Sequence, residues 1–180
     1  MDGVDDILRF WFDECEPRQW FVKDPHFDAR IRHRFEACIL QARAGALTSW
    51  ENSLEGCLAL ILVLDQFPRN VYRNTADAFS SDPLALSLTM MCLDKGYLTH
   101  PNLRWRHFML IPMMHSEDLA IQEASLPLFA RYTNDQIYDY AVRHRAIIAR
   151  FGRYPHRNAI LGRHSTEEEL AFLQQPGARF

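Results

Sequence analysis

The stretch from Leu54 to Leu64 is apolar on almost every side, with Cys57–Leu64 an uninterrupted apolar run. A helix without a polar face has to lie at the centre of a globule, and other elements must wrap it. The run is too short to cross a bilayer, so its neighbours have to supply the cover. They carry the pattern for it. In Pro25–Ala44, residues Phe27, Ile31, Phe35, Cys38/Ile39 and Ala42 recur every three or four positions. Asn134–Phe151 repeats the theme with Ile137, Tyr140, Ala141, His144, Ile147, Ile148 and Phe151. Such spacing lays one apolar stripe along a helix. No segment alternates over strand length. The expected fold is all-α: about eight helices in antiparallel hairpins, joined by short loops, forming one domain over residues 1–180.

Local signals place the helix ends. Thr48-Ser-Trp-Glu51 reads as a capping box, with Thr48 as cap and Glu51 reaching back. Pro68 forces a change of direction after Asp65 or opens a short new helix. Asp82 reads as a cap with Pro83 in the first turn, and that helix stops at Gly96. Leu103–Leu110 reads as a short helix or turn-rich connection ended by Pro112. Ser116 is the expected cap of a helix through Arg131. Asn134 opens the long helix and Gly152 closes it. Ser165-Thr-Glu-Glu-Glu169 offers two overlapping capping boxes for a last helix.

Composition excludes several functions. A net charge of −3 gives no broad cationic surface for nucleic acid. Met1 is followed by Asp2, Asp5 and Asp6 instead of a basic leader region, and no segment is long enough to enter a membrane. Cys15, Cys38, Cys57 and Cys92 match no metal or redox spacing and read as buried thiols, which points to a reducing, cytoplasmic location. There is no glycine-rich nucleotide loop and no nucleophile elbow, so no cofactor is expected. No metal is expected either. His115, His156, Asp65 and Glu117 have ligand chemistry, but no paired spacing on a helix, and Arg153 and Arg157 beside His156 oppose a cation.

Eighteen of the twenty basic residues are arginine, a planar fork suited to carboxylate or phosphate. They concentrate in one place. Arg143–His164 holds six arginines, three histidines and no acid. Its densest part is Arg150-Phe-Gly-Arg-Tyr-Pro-His-Arg-Asn158. A shorter version, Asp65-Gln-Phe-Pro-Arg-Asn70, shares an aromatic-Pro step followed by Arg-Asn. Asp65 ends the apolar helix, where a carboxylate is costly unless paired. Arg69 is four residues on and Arg73 a further turn.

A third arm is Met113-Met-His-Ser-Glu-Asp118. His115 would stand before a helix N-terminus opened by Ser116, where backbone N–H groups receive anions. Glu117 and Asp118 suit a first helical turn without any further role. The candidate site therefore has His115 or His156 as acid or base, and Asp65 or Glu117 fixing the imidazole tautomer. Arg69, Arg73, Arg150, Arg153 and Arg157 would hold an anion, with Asn70 and Asn158 orienting it. Two readings compete with this small-molecule site. One is a helical scaffold that takes an acidic peptide through the same arginines. In the other, the arginines only tie helices together through internal acids.

These motifs also carry a resemblance. Ile7-Leu-Arg-Phe-Trp-Phe12, Leu64-Asp-Gln-Phe-Pro-Arg-Asn70 with Tyr72-Arg73, Met113-Met-His-Ser-Glu117, and Arg150–Asn158 with Leu161-Gly162 and Ser165-Thr166 stand in one order along nearly the whole chain. In these the chain resembles the bacterial family called domain of unknown function 924. Ile111 before Pro112 is a local variation, where an aromatic residue or Met is expected. The resemblance implies a tetratricopeptide-repeat-like all-helical fold. It implies no reaction.

Overall fold

The computed structural model describes residues 3–178; the outer two residues at each end of the expected 1–180 domain lie outside them. Among the described residues there are nine α-helices and no strand. α1 (Val4–Arg9) runs into a π-helical turn, Phe10–Glu14. α2 (Pro25–Arg43) is capped by Asp24, whose carboxylate accepts from the backbone N–H groups of His26 and Phe27. α3 (Leu54–Ile61), a second π turn (Leu62–Gln66) and α4 (Phe67–Val71) form one continuous helical rod. α5 is Asp82–Asp94, α6 Leu103–His115, α7 Leu119–Tyr132, α8 Asp135–Phe151 and α9 Glu167–Leu173.

The apolar run is the centre of the molecule, as its composition requires. Every residue from Gly56 to Pro68 is buried, and α1, α2, α5 and α6 pack against the rod. Each large apolar side chain in it contributes about 1.5–3 kcal/mol by leaving water. Consecutive helices pack on one another from α5 through α8.

Three helix starts differ from the sequence expectation. Thr48–Asn52 forms a 3-10 turn, and the cap of α3 is Ser53, whose hydroxyl accepts from Gly56 N–H at 3.0 Å. The 3-10 turn lies so close that a Cβ on Gly56 would meet the Trp50 carbonyl oxygen at 1.9 Å. α5 begins at Asp82, after Ser81, and the Asp82 carboxylate caps nothing because Arg69 holds it. α6 does not stop at Pro112. It passes through the proline to His115, while Thr89 of α5 donates to the Met109 carbonyl at 2.8 Å one turn earlier. Ser116 consequently ends α6, and Asp118 caps α7. His115 therefore closes one helix and does not stand at the mouth of the next.

Other ends lie where the sequence places them. Asn134 caps α8 through Ile137 N–H, and Gly152 terminates it with φ 67°. Thr166 and Glu169 form the reciprocal capping box of α9. Pro68 sits in the first turn of α4. Its ring and missing N–H disturb the turn before it, and there the rod widens into the π turn Leu62–Gln66 that carries Asp65.

Candidate functional site

Asp65 has no solvent exposure, and three donors converge on its carboxylate. His115 Nδ1 lies 2.7 Å from Oδ1, Gln66 Nε2 donates to Oδ2 at 2.5 Å, and Arg69 Nη1 is 3.3 Å from Oδ1. Burial alone pushes the acid's pKa up. Arg69, His115 and the Gln66 amide outweigh it and hold the group at about 2. An ionised carboxylate only accepts, so His115 carries its proton on Nδ1 and presents the lone pair of Nε2. Burial, then Arg69, lowers the imidazole pKa against the pull of Asp65, which keeps the ring neutral at pH 7. Nε2 makes no hydrogen bond to the described residues. The His115 side chain is 15% exposed, and Nε2 is not fully enclosed.

Two guanidiniums lie beside the pair. Arg69 donates to the Asp65 carbonyl at 2.7 Å and grips Asp82 with two bonds of 2.8 and 2.9 Å. Desolvation lowers its pKa, but Asp65 and Asp82 more than compensate. Arg157 is less well served. It is 6% exposed and lies between two rings, 4.4 Å from the Phe79 centroid and 4.7 Å from that of Tyr154. It donates to the His115 carbonyl at 3.1 Å and lies 3.6 Å from Asp82. Its Nε is buried with no hydrogen-bond partner. Burial and then Arg69 lower its pKa, against the pull of Asp82 and Glu117.

The end of α6 is held in place by Gln122 of α7 and by the chain that follows α8. Tyr154 Oη donates to the Met114 carbonyl, and Gln122 Nε2 lies within 2.8 Å of the Met114 carbonyl, the Ser116 carbonyl and Tyr154 Oη. Arg157 takes the carbonyl between them. A helix leaves its last carbonyls unpaired, and here those carbonyls fix the residue that carries the imidazole.

The residues expected to form one clamp fall into separate networks. Asp65, Arg69, His115 and Arg157 come together. His156 is near enough to feel both arginines and His115; burial first, then Arg157, lowers its pKa to about 3. Asn70 and Arg73 lie elsewhere, tying Asp28 of α2 to α4 through three hydrogen bonds of 2.6–2.8 Å. Glu117 does not orient an imidazole. It accepts from Tyr154 N–H at 2.7 Å and from Arg163 at 2.7 and 2.9 Å. Arg153 and Asn158 both reach Glu169 at the start of α9, and Arg150 pairs with Glu168 at the surface. These carboxylates satisfy the loop arginines internally and make the Arg150–Asn158 run mainly a fastening.

Sequence reasoning passes over Asp82, Phe79, Tyr154 and Gln122. Asp82-Pro83 looks like a helix start, which hides the carboxylate's partner. Tyr154 stands within the arginine run and carries its own signal, an aromatic ring next to cations. Nothing local distinguishes Phe79 or Gln122. Among the described residues, no group of three or more His, Cys, Asp or Glu is arranged to hold a metal ion.

Comparison with known proteins gives two matches. A family model described as bacterial protein of unknown function (DUF924) matches residues 7–177. The solved structure of a protein of unknown function from Agrobacterium tumefaciens is similar at 37% identity with a TM-score of 0.90, covering 95% of this chain and 96% of that one. No curated protein matches.

Proposed function

We propose a function from the premise that this chain belongs to the DUF924 family of bacterial proteins: the Asp65–His115 pair performs acid–base chemistry on a small oxyanion, a phosphate or carboxylate compound, held beside Arg157. The observation that carries this reading is the buried carboxylate set 2.7 Å from Nδ1 of a neutral imidazole whose Nε2 makes no hydrogen bond to the described residues. That arrangement aligns a histidine to take a proton. The π turn adds support, since such turns often occur at functional sites. Arg157, with its unmatched Nε and lowered pKa, favours a negative ligand.

Hydrolysis is the reaction class this suits. Nε2 takes a proton from water as the water oxygen attacks the phosphorus or carbonyl carbon. The bond to the leaving oxygen breaks, and Nε2 returns the proton to that oxygen. One water is consumed and the imidazole ends neutral. Arg157 stabilises the charge that builds on the oxyanion.

The acidic-peptide reading has less support, because it needs open arginines and Arg157 and Arg69 are largely enclosed. The packing of consecutive helices from α5 to α8 supports a reading of these elements as hairpins of a tetratricopeptide-repeat-like array. We place the protein in the cytoplasm on its four buried free thiols. No described helix is long and apolar enough to cross a membrane.

The test is a panel of p-nitrophenyl phosphate and carboxylate esters, run on the parent, His115→Gln and Arg157→Met. Turnover by the parent, reduced about 100-fold or more in His115→Gln, is expected. Parent activity equal to His115→Gln activity on every ester would overturn the catalytic reading.

A further inference from the structure

We propose that this site takes its oxyanion together with a proton, which settles on Nε2 of His115, so that the bound state is an anion–imidazolium pair. The inference rests on the anion-binding reading above and adds the charge state and order of binding.

It starts from the charges present. Asp65 and Asp82 are matched by Arg69 and Arg157 in one connected cluster, with carboxylate contacts of 2.8–3.6 Å. The cluster is neutral before a ligand arrives. Asp65 is fully buried, Arg157 nearly so, and the side chains of Arg69, Asp82 and His115 are each less than a fifth exposed. An anion entering here adds one uncompensated charge to a poorly solvated space, which is costly unless a counter-charge comes with it.

The surroundings decide where that counter-charge forms. Asp65 in the π turn and Asp82 on α5 favour a charged His115, while Arg69 on α4 and burial oppose it. Three more imidazoles lie within electrostatic reach: His107 on the same helix, His144 on α8, and His156 beside Arg157. His115 has Asp65 Oδ1 at 2.7 Å from its Nδ1. His144 is occupied at Nδ1 by the Tyr140 carbonyl at 2.7 Å. Tyr154 and Glu117 are spent on the α6 carbonyl and on Arg163. His115 has a carboxylate behind it at Nδ1 and no hydrogen bond to the described residues at Nε2. When an oxyanion sits against Nε2, a proton there turns two repulsive terms into a hydrogen-bonded pair flanked by Asp65.

The ligand class follows. The site suits an oxyanion of phosphate or carboxylate type that can receive a charge-assisted hydrogen bond from an imidazolium, and a neutral isostere gains nothing from the proton. In a hydrolytic cycle the attacking water supplies that proton, so the substrate meets a neutral ring and the anion–imidazolium pair is the state after attack, with the product anion still bound; an oxyanion that does not react has to bring its proton from solvent.

Sulfate is the probe, because it does not titrate near neutrality and any proton taken up belongs to the protein. Affinity is measured by calorimetry at pH 8, 7 and 6, and the His115 ring nitrogens are followed by NMR. Linkage requires that a ligand bound with a proton bind more tightly as pH falls. We expect affinity about tenfold or more higher at pH 6 than at pH 8, and a His115 Nε2 resonance that moves to the imidazolium position when sulfate is added at pH 7. In His115→Gln, which keeps a donor for Asp65 but cannot be charged, the pH dependence is expected to vanish. Equal sulfate affinity at pH 6 and 8, or a pH dependence unchanged in His115→Gln, would overturn the proton-coupled binding while leaving the anion site standing. Absence of binding by sulfate, phosphate and acetate alike would overturn both.

Discussion

Acid should unfold this protein before its carboxylates are touched. His144 and His156 are each held at about pKa 3 and His107 at about 4, in every case chiefly by burial, against about 6.5 in an unfolded chain. Their folded pKa values are depressed, so the unfolded state binds more protons. Their contribution is complete above the unfolded value and is lost as pH falls toward the folded one. Between pH 7 and pH 5 a group shifted from about 6.5 to about 3 gives up about 2 kcal/mol. His144 is 5% exposed and should show the full amount. His156 and His107 are half-buried and should each show somewhat less. The three together remove about 4–6 kcal/mol, a large part of the 5–15 kcal/mol typical of a whole domain. Asp65 and Glu169, both held at about 2, keep their contribution through this window and lose it only further down. Urea unfolding at pH 7, 6 and 5 measures the slope. In His144→Gln the slope should fall by about 1 kcal/mol per pH unit averaged between pH 7 and 5, rising toward about 1.4, the value of one full proton, at the acid end. A flat stability between pH 7 and 5, or equal slopes in parent and variant, would refute the assignment of these rings as buried and neutral.

Two further substitutions test the packing. Gly56→Ala places a Cβ 1.9 Å from the Trp50 carbonyl oxygen. Helix propensity favours alanine by about 1 kcal/mol, but the backbone clash should dominate and cost a net 1–3 kcal/mol or so, read as a fall of several degrees in melting temperature; a rise would contradict the close approach of the two segments. Glu117→Gln weakens the two bonds to Arg163 and the one to Tyr154 N–H, at about 1.5–3 kcal/mol. Hydrogen exchange at the Tyr154 amide should accelerate ahead of amides in α3, and unchanged protection there would show that this carboxylate does not fasten the segment after α8.

The parts legible in the sequence are those decided within a few residues. Asn134, Gly152 and the Thr166–Glu169 box act on their own helix ends, and each stands where its residue type places it. The burial of the Cys57–Leu64 run follows from composition alone. What could not be read depends on partners far along the chain. Asp82 has the form of a cap, yet Arg69, thirteen residues earlier, takes both its oxygens. Glu117 and Glu169 absorb arginines 46 and 16 residues away in sequence. Pro112 reads as a stop by local rules, but packing of the flanking turns carries α6 through it and so delivers His115 to Asp65. Of the candidate site, Asp65, Arg69, His115 and Arg157 were recognisable as chemistry; their meeting point was not.

The widened turn at Leu62–Gln66 makes the central rod two helices that differ in phase. Before it, α3 turns its sides toward α1, α5 and α6; beyond it, α4 lies on α2. An extra residue in a helical turn rotates everything downstream by about 100° relative to an unbroken helix. Removing one residue from this turn would restore a regular spiral and swing Phe67, Arg69, Asn70 and Arg73 off their partners together. A change of one codon's length here should be felt both in the core and at Asp82, whereas the same deletion in the exposed loop at Asn74–Asp77 disturbs the Arg43 bond to the Asp77 carbonyl and leaves the central rod in phase.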